Sequence, residues 1–244
     1  MPSEKRFIRV KNITKSFHTM QGTLQAIKDV SFEIEEGSCV VIGGENGSGK
    51  SLLMSIISGL EEADSGTVET FSKIGLVFQE AETQILGETP AEDIAFGPKN
   101  LGWNKEKINS AVKSALEKAR LTEKADFPAR FLSGGEKRRL AVACMLAMEL
   151  PVIIMDEPYA NLDFCGVKQV NSLISSLKAE GKTVIILTHE IEKCLALADK
   201  FIVLYRGCKV FDGTAEDALK GNLEQWNIRN PLNSYSAVKD LVWL

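Results

Sequence analysis

The sequence predicts an α/β fold in which a mostly parallel sheet has helices on both faces. Five short runs of aliphatic and β-branched residues are typical of buried strands. They are Cys39–Ile42, Ile74–Phe78, Val152–Met155, Val184–Thr188 and Phe201–Tyr205. Segments with helical periodicity lie between them. Strands that alternate with helices favour parallel pairing, because each helix returns the chain to the edge where the next strand begins.

The residues before the first of these strands follow a different pattern, which predicts an antiparallel β subdomain. In the range Phe7–Glu35, apolar residues alternate with polar ones around Ile8 and Val10 and again around Phe32 and Ile34. Such alternation is typical of strands that bury one face. We expect these strands to lie on one side of the main sheet.

Helical patterns dominate from Gln79 to Leu150 and predict a helical subdomain inserted into the α/β core. Lys105–Arg120 places its apolar residues on one stripe, and Glu136–Met148 changes from polar to apolar along its length. We therefore interpret residues 1–244 as a single domain. Residues 1–78 and 151–213 form the α/β core with its β subdomain, residues 79–150 form the helical subdomain, and residues 214–244 form a short C-terminal tail.

The composition is that of a globular protein and argues against several classes. Of the 244 residues, 44% are hydrophobic and 25% are charged, both near the average for soluble domains. The longest apolar run is far shorter than the roughly 18 residues of a membrane-spanning helix, and the polar N-terminus lacks the apolar segment of a signal peptide. The formal net charge of −4 argues against nucleic acid as a partner. Five cysteines without a CxxC pair predict free thiols in a reducing cytoplasm.

A glycine-rich segment between the first core strand and a helical stretch predicts a phosphate-binding loop. Residues 44–51, GENGSGKS, fit the pattern G-x-x-x-x-G-K-[ST]. The glycines let successive backbone N–H groups surround an anion, and the following helix adds its positive end. Lys50 is placed to neutralise the β- and γ-phosphates of a nucleotide, and Ser51 to bind Mg²⁺. The core is thus predicted to be that of a P-loop nucleoside triphosphatase (NTPase), with nucleotide contacts at Gly44, Asn46, Gly47, Ser48, Gly49, Lys50, Ser51 and Leu52.

Two acidic residues at the end of a later strand complete the predicted hydrolytic site. Asp156 and Glu157 follow the apolar run Val152–Met155. Ligands of open α/β sheets bind at the carboxyl ends of the strands, where the phosphate loop also lies. Asp156 is therefore predicted to help hold the metal ion, and Glu157 to act on the attacking water as general base or polarising group.

A third motif, LSGGE at residues 132–136, narrows the class. Ser133, Gly134 and Gly135 stand directly before a helix, where they supply a hydroxyl and free N–H groups for a second phosphate contact. With this signature motif the chain resembles the ATP-binding cassette (ABC) family. The resemblance implies that two subunits, identical or paralogous, pair head to tail, and that each signature closes over the ATP held by its partner.

The resemblance covers roughly residues 7–214 and implies roles for further residues. Gln79 would reach the metal ion and the attacking water, His189 would contact the γ-phosphate, and Asp163 would lie at the dimer interface. The implied catalytic residues are Glu157, His189 and Gln79, with ATP and Mg²⁺ as cofactors. Phe17 lies where the family carries an aromatic residue that stacks on adenine, although its strand pattern suits a core residue equally well.

One stretch indicates a branch of the family. Residues 78–84 (FQEAETQ) and 92–102 (EDIAFGPKNLG) are similar to the ATPase components of energy-coupling factor and cobalt-type importers. The resemblance implies a peripheral ATPase on the cytoplasmic face of the cell membrane, bound to an integral membrane component, that powers uptake of a vitamin or a transition-metal ion. The alternative for this stretch is an ordinary loop–helix connection with a turn at Gly97-Pro98.

Several positions depart from the family pattern. Leu52 stands in place of a threonine whose hydroxyl contacts the α-phosphate, so a contact worth about 0.5–1.5 kcal/mol is lost. Glu136 ends the signature in place of glutamine, and Glu80-Ala81 replaces Asn-Pro after Gln79. The tail is shorter than is usual in this branch, so its dimer contacts are expected to differ.

Other functions share parts of this motif set. A non-transport ABC ATPase, such as an iron–sulfur assembly ATPase, has every core motif and stays open as the alternative. DNA-repair relatives carry a long coiled coil for which the spacing of Lys50 and Asp156 leaves no room, and translation factors generally join two cassettes. A purely regulatory nucleotide-binding module would lack a catalytic acid such as Glu157.

Overall fold

The computed structural model describes residues 6–20 and 22–233, which form two sheets and six α-helices. The strands are β1 (Phe7–Thr19), β2 (Gly22–Glu35), β3 (Cys39–Gly43), β4 (Ser65–Glu69), β5 (Ile74–Val77), β6 (Val152–Asp156), β7 (Thr183–Thr188), β8 (Lys200–Tyr205) and β9 (Cys208–Gly213). The helices are α1 (Lys50–Ile57), α2 (Pro90–Asn100), α3 (Lys105–Lys118), α4 (Gly134–Ala147), α5 (Phe164–Ala179) and α6 (Ala215–Lys220).

The larger sheet confirms the predicted α/β fold. Its strand order is β5-β6-β7-β3-β8-β9, and every pair is parallel except β8 with β9. Side chains alternate between its faces, so that Val41 lies in one buried apolar cluster and Val40 and Ile42 lie in another. All five predicted strands are present, each within a residue of its predicted bounds.

The smaller sheet contains the predicted antiparallel strands. β1 pairs with β2, with Ile8 opposite Ile34 and Val10 opposite Phe32. These side chains share a buried cluster with Val40 of the main sheet, so the small sheet covers one face of the large one. The third strand, β4, was not predicted because four of its five residues are exposed and it contains no apolar run.

Helices α2, α3 and α4 pack around a third apolar cluster. The alternative turn at Gly97-Pro98 is wrong, because α2 runs through both residues after a start capped by Thr89. Gly97 packs closely against α4, since a Cβ there would lie 2.5 Å from Sδ of Met148 and the methionine side chain would have to shift. The division of the chain at residues 79 and 150 stays a prediction.

The described part of the tail packs against the main sheet. Leu223 and Ile228 are buried in the same cluster as Val41, and the Trp226 ring lies 6.3 Å from that of Phe211 on β9. Residues 234–244 of the predicted tail lie outside the described residues. Within residues 6–20 and 22–233, no helix has both the length and the hydropathy needed to cross a membrane.

Candidate functional site

The strand order brings the predicted site residues to one edge of the main sheet. β6, β7 and β3 are parallel neighbours, so their carboxyl ends meet. Asp156 ends β6, His189 follows β7, and the glycine-rich loop follows β3. Motifs that are far apart in the sequence therefore converge where open α/β sheets bind their ligands.

The phosphate loop has a backbone that requires glycine at two positions. Gly44 and Gly49 have φ angles of 154° and 101°, which side chains other than glycine rarely adopt. A Cβ on Gly44 would lie 2.3 Å from the carbonyl oxygen of Leu204, and one on Gly49 would lie 2.7 Å from Cδ1 of Ile27. The loop is thus held closely against neighbouring strands and leads directly into α1, whose N-terminus favours an anion.

Lys50 is buried at the base of this loop. Its Nζ donates to the carbonyl oxygens of Gly44 at 2.8 Å and Glu45 at 3.0 Å, and lies 3.9 Å from Oε1 of Glu157. Burial lowers the pKa of Lys50, while the nearby Glu157 and Asp156 carboxylates oppose that shift. A buried ammonium group beside a row of backbone N–H groups is suited to bind phosphate oxygens.

Asp156 offers an unpartnered oxygen close to the same loop. The residue is 8% exposed, and its Oδ1 has no hydrogen-bond partner among the described residues. Burial raises the pKa of Asp156, and a hydrogen bond from Ser51 and the charge of Lys50 oppose the shift. A buried carboxylate oxygen without a donor is costly unless a cation or water satisfies it.

The donor set at this point fits one kind of metal. The described residues contain no group of three or more His, Cys, Asp or Glu side chains able to hold an ion. Mg²⁺ needs no such cage, because it is usually bound by one or two protein oxygens together with water and substrate phosphates. Asp156 and Ser51 therefore fit Mg²⁺ rather than a metal held by protein ligands alone.

Glu157 is held by the residues at the end of β7. Its Oε1 accepts the backbone N–H of His189 at 3.2 Å and lies 2.9 Å from His189 Nδ1, and its Oε2 accepts the hydroxyl of Thr188 at 3.0 Å. Glu157 has a φ of 46°, a left-handed conformation of the kind that clusters at functional sites. The role of Thr188 was not predicted from the sequence. Its position directly before His189, together with its hydroxyl group, could have indicated that role.

A cleft of about 470 Å³ joins most of these groups. It is lined by Ala26, Asn46, Gly47, Gly49, Lys50, Ser51, Leu52, Gln79 and Glu157. Asp156 and His189 adjoin it through their contacts with Ser51 and Glu157. The structure thus brings the phosphate loop, Gln79 and Glu157 together in one chain.

The predicted signature residues do not line this cleft. Ser133 caps α4 by accepting the N–H of Glu136, whose side chain accepts the N–H of Ser133 in return. Gly134 is exposed, and a Cβ there would meet no atom within 4 Å. Asp163 caps α5 by accepting the N–H of Gly166 at 2.7 Å. Within a single chain, these residues are not brought to the phosphate loop.

Comparison with known families agrees with the motifs and their geometry. The model of the ABC transporter family matches residues 27–160, more than half of the chain. The chain belongs to the ABC transporter family. The family match covers the phosphate loop and the paired carboxylates at the end of β6, the two motifs from which a nucleotide site was predicted.

Curated relatives of this chain include two transporter ATP-binding proteins. The energy-coupling factor transporter ATP-binding protein EcfA2 of Methanospirillum hungatei is 37% identical over 208 residues, which cover 79% of this chain and 52% of the relative. The cobalt import ATP-binding protein CbiO of Rhodobacter capsulatus is 34% identical over 232 residues, which cover 88% and 83%. The chain therefore spans about half the length of EcfA2.

Solved structures share the fold. CbiO1 from Clostridium perfringens, described as part of the ABC transporter complex cbiONQ, has a TM-score of 0.80 at 29% identity, covering 93% of this chain and 97% of that chain. The ATP-binding cassette MJ0796, solved as a dimer in a post-hydrolysis state with ADP and Pi, has a TM-score of 0.77 at 28% identity, covering 85% and 98%. Both confirm the P-loop NTPase core.

Phe17 of this ABC family member is not a core residue. Its side chain is 40% exposed, so the alternative that placed it in the core is wrong. It pairs across the small sheet with Leu24, and Ala26 on the same strand lines the cleft. Stacking of Phe17 on adenine stays a prediction.

Proposed function

We propose that this chain is the ATP-hydrolysing subunit of an importer of the energy-coupling factor or cobalt type, which takes up a vitamin or a transition-metal ion. The hydrolytic part is carried by the Glu157 carboxylate, which Thr188 and His189 hold at the edge of the phosphate-loop cleft. The names of the relatives EcfA2 and CbiO support the transport part and favour it over iron–sulfur assembly.

The proposed mechanism assigns one task to each residue of the cleft. The triphosphate occupies the glycine loop, where Lys50 exchanges its carbonyl contacts for the β- and γ-phosphates. Glu157 accepts a proton from the attacking water or polarises it, and Gln79 helps to orient that water. His189, hydrogen-bonded to Glu157, contacts the γ-phosphate. Positioning and electrostatic stabilisation supply most of the catalysis.

Mg²⁺ is the proposed cofactor. Support comes from the buried Oδ1 of Asp156, which has no hydrogen-bond partner among the described residues, and from the adjoining Ser51 hydroxyl. Ser51, Asp156 and Gln79 would hold the ion. When bound, it would neutralise charge on the phosphates as the γ-phosphoryl group leaves.

The proposed partner in hydrolysis is a second ABC ATPase subunit, identical or paralogous, in a head-to-tail dimer. Ser133, Gly134 and Asp163 are exposed and do not line the chain's own cleft. The space around Gly134 suits the phosphates of a nucleotide that the other subunit holds. The structural neighbour MJ0796 is described as a dimer, which supports dimerisation.

The proposed membrane partner docks beside the segment that follows Gln79. A groove of about 430 Å³ lies there and includes Glu82, Ile85 and Pro128. Leu86 and Phe131, next to groove residues in the sequence, expose large apolar side chains. Apolar surface within a polar rim is typical of interaction sites. In this proposal the chain is peripheral at the cytoplasmic face of the membrane, and nucleic acid is not a partner.

The first experiment is Glu157→Gln. The amide keeps the shape of the side chain and leaves the phosphate loop intact, so ATP binding is retained while hydrolysis falls by about 10²-fold or more. An ATP-bound dimer accumulates and is detected by size-exclusion chromatography with ATP. Glu190→Gln, one residue beyond His189, is the matched control and keeps its turnover. Wild-type turnover in Glu157→Gln would show that the assignment of Glu157 is wrong.

The second experiment tests the transport part. The tagged chain is purified from membranes, and ATP hydrolysis is measured with and without the proteins that accompany it. We expect an integral membrane scaffold that changes the rate of hydrolysis. Recovery of soluble iron–sulfur assembly proteins in its place would contradict transport.

A further inference from the structure

We infer that Arg138 is a positioning residue that joins the signature helix α4 to the segments carrying Gln79 and Glu157, and thereby couples the two ATP sites of a dimer. The inference rests on the proposed function, because it requires the signature of one subunit to act on the nucleotide of the other. Arg138 does not line the phosphate-loop cleft, so we assign it an effect that passes through the residues it contacts.

The guanidinium of Arg138 contacts three backbone carbonyls on two segments. Its Nη1 donates to the oxygens of Pro158 at 3.0 Å and Ala160 at 2.8 Å, and its Nη2 donates to the oxygen of Gln79 at 2.8 Å. Pro158 directly follows Glu157 in the chain. One side chain therefore fixes the position of the predicted water-orienting residue and of the residue that follows the predicted base.

The guanidinium of Arg138 is buried, which suits a role in holding the segments around it in place. Arg138 is 7% exposed, and its Nε has no hydrogen-bond partner among the described residues. The hydrogen bonds of the guanidinium go to neutral carbonyls. Burial lowers the pKa of Arg138, and the charge of the Glu157 carboxylate opposes that shift. Burying a charge in this way costs more than burying an apolar side chain of similar size. Compared with lysine, arginine has a planar guanidinium whose several N–H donors can hydrogen-bond to several acceptors at once.

The position of Arg138 on α4 links it to the signature. The helix begins at Gly134 and is capped by Ser133, so Arg138 lies about one turn from the motif. A shift of the first turn of α4, which would face the partner's nucleotide, therefore moves the guanidinium as well. The carbonyl contacts pass that shift to Gln79 and to the turn after Glu157, both of which serve the chain's own nucleotide.

Arg139 provides a matched control. It follows Arg138 on the same helix and is buried to a similar depth, at 9% exposed. Its guanidinium donates to the carbonyl oxygen of Ala119 and to the side chain of Gln169. Neither partner lines the cleft or belongs to the signature. The two arginines thus share charge, helix and burial, and differ in what they hold.

The test is a set of double-mutant cycles on the kcat and KM of ATP hydrolysis by the full chain. Arg138→Gln, Arg138→Lys and Arg139→Gln are each combined with Gln79→Ala and with Ser133→Ala. We expect Arg138→Gln to lower kcat about tenfold with KM nearly unchanged, and Arg138→Lys to lower it less. In either alanine background, Arg138→Gln should lower kcat by less than about threefold, because each alanine already interrupts the proposed path from the signature through Arg138 to Gln79. When Arg139→Gln is combined with either alanine variant, the fold losses in kcat of the two single variants should multiply.

Thermal unfolding of each variant separates positioning from stability. Arg138→Lys keeps the buried positive charge, so the cycles can be run with it if Arg138→Gln lowers the unfolding midpoint. Multiplicative losses in both backgrounds, or equal behaviour of the Arg138 and Arg139 variants, overturn the inference. If Gln79→Ala and Ser133→Ala leave kcat unchanged, the proposed function itself fails. If they lower kcat but do not couple to Arg138, the inference alone fails.

Discussion

Leu52 is the residue at which the nucleotide site departs from its expected chemistry. It lies on α1 and lines the cleft with an apolar side chain. Leu52→Thr restores a hydroxyl and should strengthen ATP binding by about 0.5–1.5 kcal/mol, roughly 2- to 12-fold in Kd. Calorimetric titration with ATP measures the change. Leu52→Val introduces the branched shape of threonine without its hydroxyl. Equally tight ATP binding by that variant would show that side-chain shape, and not the hydroxyl, is responsible.

Asp156 makes the stability of the nucleotide-free chain depend on pH. Burial raises its pKa above the ordinary 3.8, so folding disfavours the ionised carboxylate. Below pH 3.8 the group is protonated in both states and costs nothing, whereas the penalty grows as pH rises from 3.8 through the raised value and is complete above it. Asp156→Asn should therefore raise Tm at pH 7, by roughly 2–4 °C per kcal/mol gained, and raise it less near pH 4.

The check on Asp156 is thermal unfolding at both pH values without nucleotide or Mg²⁺. Asp126→Asn, at an exposed position, serves as the control and should change Tm little. A lower Tm for Asp156→Asn at pH 7 would show that its partners outweigh burial. Hydrolysis by this variant should be lost, since Asp156 is proposed to hold the metal ion.

Single residues of the site could be predicted because each motif is local in sequence. The phosphate loop, Asp156 and Glu157 each stand beside an apolar strand, and that context identified them. The contact of Thr188 with Glu157 could not be predicted in this way. It depends on the register of β6 against β7, which pairs Asp156 with Leu187 and so places the following residues side by side.

At the scale of the element, α4 joins a stability role to a functional one. Its first residue, Gly134, is exposed, and a Cβ there would meet no atom within 4 Å. Gly134→Ala should stabilise the single chain by about 0.4–1 kcal/mol, because it restricts the unfolded state. The same methyl group would occupy space that we assign to the partner's nucleotide, so hydrolysis should fall about tenfold or more.

The Gly134→Ala prediction is checked by thermal unfolding, ATP binding and turnover of one preparation. Binding of ATP to the phosphate loop should match that of the wild type, since Gly134 does not line that cleft. Hydrolysis at the wild-type rate would mean that the N-terminus of α4 takes no part in the reaction.

Elements with a strong apolar pattern could be predicted, and weakly patterned ones could not. The edge strand β9 is only partly buried and lacks a continuous apolar run. Helix α5 is an exception, because its sequence pattern indicates a helix that we did not predict. Asp163 caps it, and its buried residues Val170, Leu173, Ile174 and Leu177 recur at helical spacing. We assigned Asp163 to the dimer interface, whereas in the structure it also caps the start of α5.

At the scale of the whole molecule, the fold class could be predicted but the strand order could not. Alternation of strands and helices indicates a parallel sheet without saying which strands are neighbours. β5 and β6 pair although the whole helical segment separates them in sequence, and β3 lies between β7 and β8. This order depends on long-range packing of β-branched strands that look alike in isolation.

The C-terminal segment contacts the phosphate loop, which lies far from it in the sequence. After Trp226 packs against Phe211, Asn227 adopts a left-handed backbone with φ 57° and its Nδ2 donates to Oε2 of Glu45 at 2.6 Å. Glu45 belongs to the loop, and its carbonyl accepts from Lys50. The tail therefore restrains the loop that receives the triphosphate, and a loop that loses this restraint has to be ordered when ATP binds.

Asn227→Gly tests this restraint, since glycine keeps the left-handed backbone while removing the hydrogen bond. ATP affinity should fall by roughly 2- to 12-fold, the equivalent of one hydrogen bond, with little change in Tm. Asn227→Asp places a second carboxylate beside Glu45 and should weaken ATP binding further, most strongly at low salt. Fluorescence titration with a nucleotide analogue at two ionic strengths measures both variants. If both bind ATP as the wild type does, the tail contact is structural and the loop is ordered without it.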